Sequence, residues 1–448
     1  MSHHSPAFAG VGNTQQVSVG QICENTAMPR FVYTLLMTVV AVLLPLKLFW
    51  RGLKQPEYRQ HVAERYGFYR QSVQSPLIWV HCVSVGETRA TQPLIHALLS
   101  TYPQHQLLIT HGTPTGRATS SQLFSAEIAS GRVLQAYLPV DTPGAARRFL
   151  THFKPVFGVL METELWFHLI DQACRQHIPM ALLSARLSEK SARGYAKLGS
   201  LTRQGLQQLA LIAAQTQADA ERLHTLGAAQ PMICGNLKFD VTPPADSTDK
   251  GTALRQQLGP HRTVCMAAST REGEESLILD AVQGLNVLTL LVPRHPQRFA
   301  EVEALLKARG LRYVLRTELV QPLPADVQVV LGNSMGEMYT YYAASDFAVM
   351  GGSLQPLGGQ NLIEAAAMGV PTILGPHMFN FAQVAQAAVM ADAAVQLKDV
   401  SELHGMIAAL AADKVKVRTM AEAAKGFTLQ HRGTTERLMA AIAPLLKR

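Results

Sequence analysis

The sequence predicts an α/β protein built from two Rossmann-like halves in succession behind one apolar amino-terminal helix. Three observations carry this. Two blocks alternate short β-branched apolar runs with stretches of helical spacing, a Pro/Asp/Ser/Thr-rich joint separates them, and one long apolar segment stands near the start. At 448 residues the chain can hold two large domains and an appendage. With 48% hydrophobic and 16% charged residues it has the composition of an ordered protein.

Residues 1–28 are polar and without periodicity, and read as a disordered tail. Residues 29–50 read as a transmembrane anchor. From Phe31 to Trp50 the chain runs FVYTLLMTVVAVLLPLKLFW, about the 20 residues that a bilayer core requires if Lys47 snorkels to the interface. KLFWRG follows in place of a small-residue cleavage site, so the segment reads as retained rather than as a signal peptide. Arg30 stands alone before it, whereas Lys47, Arg51, Lys54, Arg59, Arg65 and Arg70 crowd after it. That asymmetry predicts a single-pass protein of the inner membrane with its bulk on the cytoplasmic side. PEYRQHVAERYGFYR at 56–70 mixes tyrosines with basic residues, a pattern for a helix at the headgroup level of anionic lipids.

Residues 51–240 form the first block, with LIWVHCVSV, QLLIT, GRVLQAYLPV, PVFGVLM, PMALLS, LALIAAQ and PMICG as strands between helices. This alternation implies a parallel sheet. FDVTPPADSTDKG has the content of a linker, placed at 241–252. Residues 253–448 repeat the alternation through TVCMAAS, NVLTLLVP, GLRYVLR, DVQVVLG, DFAVMGG and VPTILGP. Two such halves suggest an enzyme with its site in the cleft between them.

The net charge of +8 and pI near 9.3 suit phosphorylated ligands or anionic lipid. Nucleic acid is rejected as a partner, because stacking platforms and recognised binding motifs are lacking. The five cysteines include no C-x-x-C and no His partner at metal spacing, so neither a disulfide framework nor a zinc site is indicated. No D-x-D, H-E-x-x-H, G-x-x-x-x-G-K-[ST] or G-x-G-x-x-G occurs. No metal and no cofactor is therefore expected, and any cations at a site would come from side chains.

VHCVSVGETRA at 80–90 reads as strand, tight turn and helix, which puts Glu87 at the carboxyl edge of a parallel sheet. It could serve a ligand there or only complement the helix dipole. Glu162 and Glu164 of METELW follow the strand PVFGVLM. If that strand continues, they point to opposite sides and at most one faces the cleft. Arg186, Lys190, Arg193 and Lys197 would make one basic stripe if ARLSEKSARGYAKLG is helical. Lys238, Arg271 and Arg294 are the candidate cations. Glycines cluster at strand ends in GNSMGEM, GGSLQPLGGQN and GVPTILGPHMFNF, where backbone N–H groups could approach a phosphate. Asn361 and Glu364 share one helix face, either to meet a ribose or as a capping pair.

WVHCVSVGE, THGTPTG, METELW, ARLSEKSARGY, GNLKFD, STREGEE, VPRHPQRF, NSMGEM and GGSLQPLGGQNLIEAAAMGVPTILGPHMFNF, in this order behind one membrane segment, closely resemble the 3-deoxy-D-manno-oct-2-ulosonic acid (Kdo) transferases of lipopolysaccharide biosynthesis. The resemblance implies a GT-B glycosyltransferase. Its reaction would be inverting, metal-independent transfer of Kdo from a CMP-Kdo donor to a lipid A precursor, lipid IVA. It places the general base on Glu87 and the donor-binding set on Lys238, Arg271, Arg294, Gly336, Glu337, Gly351, Gly352, Asn361 and Glu364. Glu162, Glu164, Arg186, Lys190 and Arg193 fall to the acceptor half. The chain departs from the family pattern at Phe167, His168, Ser184, Asn333, Ser334 and Gln360.

Overall fold

A computed structural model describes residues 30–319 and 323–446; the tail expected at 1–28 lies outside them. The chain divides into two units, one running to Gly235 and taking back Thr435 onward, the other Asn236–Thr434.

The first unit is built on strands β1 (Leu77–Cys82), β2 (Gln106–His111), β3 (Val133–Tyr137), β4 (Phe157–Met161), β5 (Met180–Ala185), β6 (Leu211–Ala214) and β7 (Met232–Ile233). Their order is β3-β2-β1-β4-β5-β6-β7, and all pairs are parallel. Helices cover both faces, so β1 and β2 are buried at every position, polar side chains included. Trp79 is fully buried against Phe149, and its Nε1 donates to Thr110 Oγ1 at 2.8 Å. Gly158 on the neighbouring strand makes room for it, since a Cβ there would come within 2.8 Å of the indole.

The second unit repeats the plan with β8 (Val264–Thr270), β9 (Leu288–Pro293), β10 (Tyr313–Leu315), β11 (Val329–Leu331), β12 (Phe347–Met350), β13 (Thr372–Leu374) and β14 (Ala394–Gln396). The order is β10-β11-β9-β8-β12-β13-β14, again parallel. In both sheets the strand order reverses beside the first strand, between β1 and β4 and between β8 and β12. The carboxyl ends of those strands are the switch points at which open α/β sheets bind ligands.

Two boundaries differ from the sequence expectation. The whole segment read as a linker belongs to the second unit. Phe239 joins its core, and Ser247–Leu258 is a helix that buries Leu254 and Leu258. Gly251, which reads as a loop residue, is a packing residue: a Cβ there would fall 2.2 Å from that of Ala343. The last helix, Thr434–Leu446, returns to the first unit, where Arg437 Nε donates to the carbonyl of Cys234 at 2.8 Å.

Ahead of β1, helix α1 (Arg30–Lys54) is long and apolar enough to cross a membrane. The amphipathic helix expected after it is instead two 3₁₀ turns, Pro56–Arg59 and Val62–Tyr66. His61 between them has φ 55°, which breaks the helical path.

Candidate active site

Glu87 sits in the first turn of the short helix α2 (Val85–Ala90), directly past β1. The helix-terminus reading of it is realised in a capping arrangement. Ser84 caps the helix by accepting from Glu87 N at 3.3 Å, while the Glu87 carboxylate accepts from Val83 N at 2.8 Å and from Ser84 Oγ at 3.2 Å. This is a variant of the reciprocal S-x-x-E capping box. It fixes the side chain without exhausting it, because each carboxylate oxygen keeps a lone pair for a further donor.

Burial, then the charge of Glu162 and more weakly that of Glu164, push Glu87 up to about 7 against the hydrogen bonds from Val83 and Ser84. A carboxylate so tuned is matched to proton abstraction near neutral pH. The two buried imidazoles at the ends of β1 and β2 are not: burial drives His81 and His111 down to about 3.

The expectation that at most one of Glu162 and Glu164 faces the site fails, because β4 stops at Met161. Glu162 takes φ 55° and its N–H donates to the Leu183 carbonyl, so strand alternation no longer applies. Both carboxylates act on Glu87. Glu164 is itself pushed up to about 7 by burial and by the charge of Glu162. The β1 and β4 edges thus bring three carboxyls to one switch point.

The basic stripe is shorter than expected. Arg186 is half-buried just past β5, and the helix begins only at Glu189, with Lys190 and Arg193 exposed along it and Lys197 exposed at its carboxyl cap. The hydroxyl of Tyr195 in this segment donates to the Thr163 carbonyl at 2.7 Å, tying the basic helix to the Glu162–Glu164 turn.

In the second unit the candidates gather at the β8, β9 and β12 edges. Arg271 follows β8 and Arg294 follows β9. The charges of Arg271, Arg294 and Arg298, after burial, hold His295 below its ordinary range, which marks a concentrated positive field. Arg298 is spent on Glu275 (2.5 and 3.1 Å) and Glu301. Arg271 and Arg294 make no ion pair among the described residues and can serve an anion. The ammonium of Lys238 lies 5.5 Å from the centre of the Phe381 ring.

The glycine loop does not offer its amides as expected. Gly351 N donates to the Ala268 carbonyl at 2.8 Å and Gly352 N to Glu274 at 2.6 Å, so neither is open to a phosphate. Glycine at 351 is a packing requirement: a Cβ would stand 2.2 Å from the Ser269 carbonyl oxygen. Gly351→Ala is expected to cost about 1–3 kcal/mol, as overpacking does, and thermal unfolding checks it. Gly336, at φ 83°, borders open space. Glu337 is held by Arg316 (2.9 Å), Ser334 and Tyr341. Asn361 Nδ2 donates to Glu364 at 3.2 Å and its Oδ1 accepts from Ile363 N, which holds the two side chains together at the start of the helix Ile363–Ala367.

A family model described as 3-Deoxy-D-manno-octulosonic-acid transferase (kdotransferase) matches residues 60–241. A 3-deoxy-D-manno-octulosonic acid transferase of Bordetella pertussis is 42% identical over 93% of this chain and 99% of its own. The chain belongs to the Kdo transferase family. The Haemophilus influenzae 3-deoxy-D-manno-octulosonic acid transferase is 35% identical over 94% of the chain and all of its own length. Among solved structures, a UDP-GlcNAc 2-epimerase of Neisseria meningitidis matches with TM-score 0.55 over 82% of the chain and all of its own, at 13% identity. That likeness is one of fold, and with the two parallel sheets it makes the architecture GT-B.

Within this Kdo transferase the structure adds a residue that the sequence reading passed over. Glu274, fully buried, accepts from Arg271 N (2.9 Å), Gly352 N (2.6 Å), Leu354 N (3.0 Å) and Gln355 N (3.4 Å). It stitches the end of β8 to the loop after β12. Four of the departures from the family motifs have partners of their own. Asn333 exchanges two hydrogen bonds with Thr317, Ser184 at φ 50° meets Gln215, and Phe167 and His168 touch α1.

Proposed function

We propose that this glycosyltransferase moves Kdo from CMP-Kdo to the sugar hydroxyl of a lipid A precursor such as lipid IVA, with inversion and Glu87 as general base. The observation that carries the assignment is Glu87 itself: a half-buried carboxylate at a switch point, aimed by Val83 N and Ser84, and raised to about 7 by burial and Glu162.

The acceptor hydroxyl donates to Glu87 and loses its proton as its oxygen bonds to the anomeric carbon; the bond from that carbon to the CMP phosphate breaks on the opposite face. Negative charge grows on the departing phosphate, and the free guanidinium groups of Arg271 and Arg294, with Lys238, are the cations suited to it. Because side chains meet this charge, the reaction needs no metal. Asn361, Glu364, Gly336 and Glu337 complete the donor side, where Glu337 positions its loop. Glu162, Glu164, Arg186, Lys190 and Arg193 belong to the acceptor side; the exposed Lys190 and Arg193 suit the phosphates of a lipid A precursor. Both units stand on the cytoplasmic face of the inner membrane, held by α1 and by basic residues against anionic lipid.

Detergent-solubilised enzyme given CMP-Kdo and a tetra-acylated precursor in EDTA is expected to form product heavier by whole Kdo units, read by mass spectrometry. Folded enzyme that forms none, or forms it only with added divalent metal, defeats the corresponding part of the reading.

A further inference from the structure

Helix α1 is fastened to the first unit at both ends and in the middle. At its amino end Arg30 pairs with Asp171 at 2.5 Å, and Tyr33 donates to Asp141 at 2.6 Å. Asp141 is 2% exposed and also accepts from His168 N (3.0 Å) and Leu169 N (2.9 Å), so the tyrosine completes a buried carboxylate that caps the helix Phe167–Arg175. Thr34 Oγ1 lies 3.1 Å from His168 Nε2, and the Tyr33 ring stands edge-on to Phe167 at 5.2 Å. Halfway along, Tyr66 donates to the Ala41 carbonyl at 2.8 Å, while its own carbonyl is held by Arg148 at 2.6 and 3.0 Å. At the carboxyl end Arg59 lies on the Phe49 ring at 4.8 Å and fills the space beside Gly52.

These contacts do not fit a helix that crosses the bilayer. A span of 25 residues is about 37 Å long. Were it to stand across the membrane, Ala41 would be near mid-depth with Tyr66 and the Arg148 guanidinium beside it, and Asp171 would be carried to the far side. Charged groups at that depth are heavily penalised. The opposite face of the same helix is apolar and bare. Phe31, Leu35, Val42, Leu46 and Leu53 follow one helical stripe and are 58–73% exposed. Arg51, Lys54, Arg59 and Arg70 are exposed on and just beyond it, complementary to anionic headgroups.

We infer that α1 lies in the plane of the membrane, docked lengthwise on the first unit, with its bare face in the acyl layer of one leaflet, in place of the single-pass span that its sequence suggests. Both ends of the helix then stay on the cytoplasmic side. The inference rests on the membrane attachment proposed above and adds how that attachment is made. Phe167 and His168, two departures from the family motif, are part of the dock.

The test uses the full chain in inner membranes and its own thiols. Cys82, Cys234 and Cys265 are buried, whereas Cys174 is exposed and Cys23 precedes α1. Variants keeping only one of Cys23 and Cys174 besides the buried three are treated with a membrane-impermeant maleimide. In-plane docking predicts that both react in everted vesicles and neither in intact spheroplasts. Labelling of Cys23 from outside the spheroplast overturns the inference and restores the span. Recovery of the protein in the soluble fraction overturns the membrane reading beneath it. Spin labels at Leu35, Val42 and Phe49 decide the matter if Cys23 is silent on both faces. One common depth supports docking, and depths spread over the ~21 Å rise of that stretch refute it.

Discussion

Glu87→Gln is expected to lower the rate of Kdo transfer about 10²- to 10⁴-fold, the usual worth of a positioned general base, with donor affinity and thermal stability little changed. Gln keeps the shape and one acceptor oxygen for the Val83 N–H, so the capping arrangement survives while the basic oxygen is lost. Single-turnover transfer beside CMP titration separates the two effects. A mutant that keeps more than a tenth of the wild-type rate assigns the proton elsewhere in the cluster.

The same reading fixes a pH profile. A carboxyl raised to about 7 is protonated, and useless as a base, below that pH, so the transfer rate should climb through about pH 7. Glu162→Gln removes the strongest neighbouring charge that raises Glu87, and the limb should move to lower pH. Ser84→Ala removes a hydrogen bond that favours the charged form, and the limb should move up. Opposite shifts from two neighbours identify Glu87 as the titrating group more firmly than the loss of rate alone.

Glu87 was legible because its position depends only on local order: an apolar run, a small residue and a helix put any side chain there at the sheet edge. Glu162 was misjudged because its left-handed φ breaks the alternation that the apolar strand advertises. Periodicity cannot see a residue that leaves the strand one position early. The linker was misplaced for a related reason. Gly251 looks like a hinge in sequence, yet the need is for close contact with Ala343, ninety-odd residues on. The dock of α1 was out of reach altogether, since hydropathy records that a helix is apolar and says nothing of the two or three polar side chains that choose its neighbour. What decides these features is tertiary, and each hangs on a contact between residues far apart in sequence.

Glu274 is the sharpest case of that kind, and its removal is the second large effect expected. Its loop partners Gly352, Leu354 and Gln355 lie 78 to 81 positions away, so no local pattern marks it. In Glu274→Ala four backbone N–H groups lose their acceptor, two of them, at Gly352 and Leu354, in buried positions. An unpaired buried donor costs roughly 1–3 kcal/mol, and the loop can recover some of that by admitting water. A net loss of about 3 kcal/mol is therefore expected, with the second unit unfolding first. The Arg271 backbone and the Gly351–Gly352 turn would shift together, and CMP affinity should fall even where the protein remains folded. Glu274→Gln, which keeps one oxygen but turns an amide N–H toward other N–H groups, should fall between Ala and wild type in stability and in CMP binding alike. Calorimetric unfolding and CMP titration of the two variants read this directly. Wild-type values for Glu274→Ala would mean that the loop after β12 holds its shape without the carboxylate. A parallel loss of stability and affinity would show that the donor side is assembled through Glu274, while the chemistry at Glu87 rests on a separate set of contacts in the first unit.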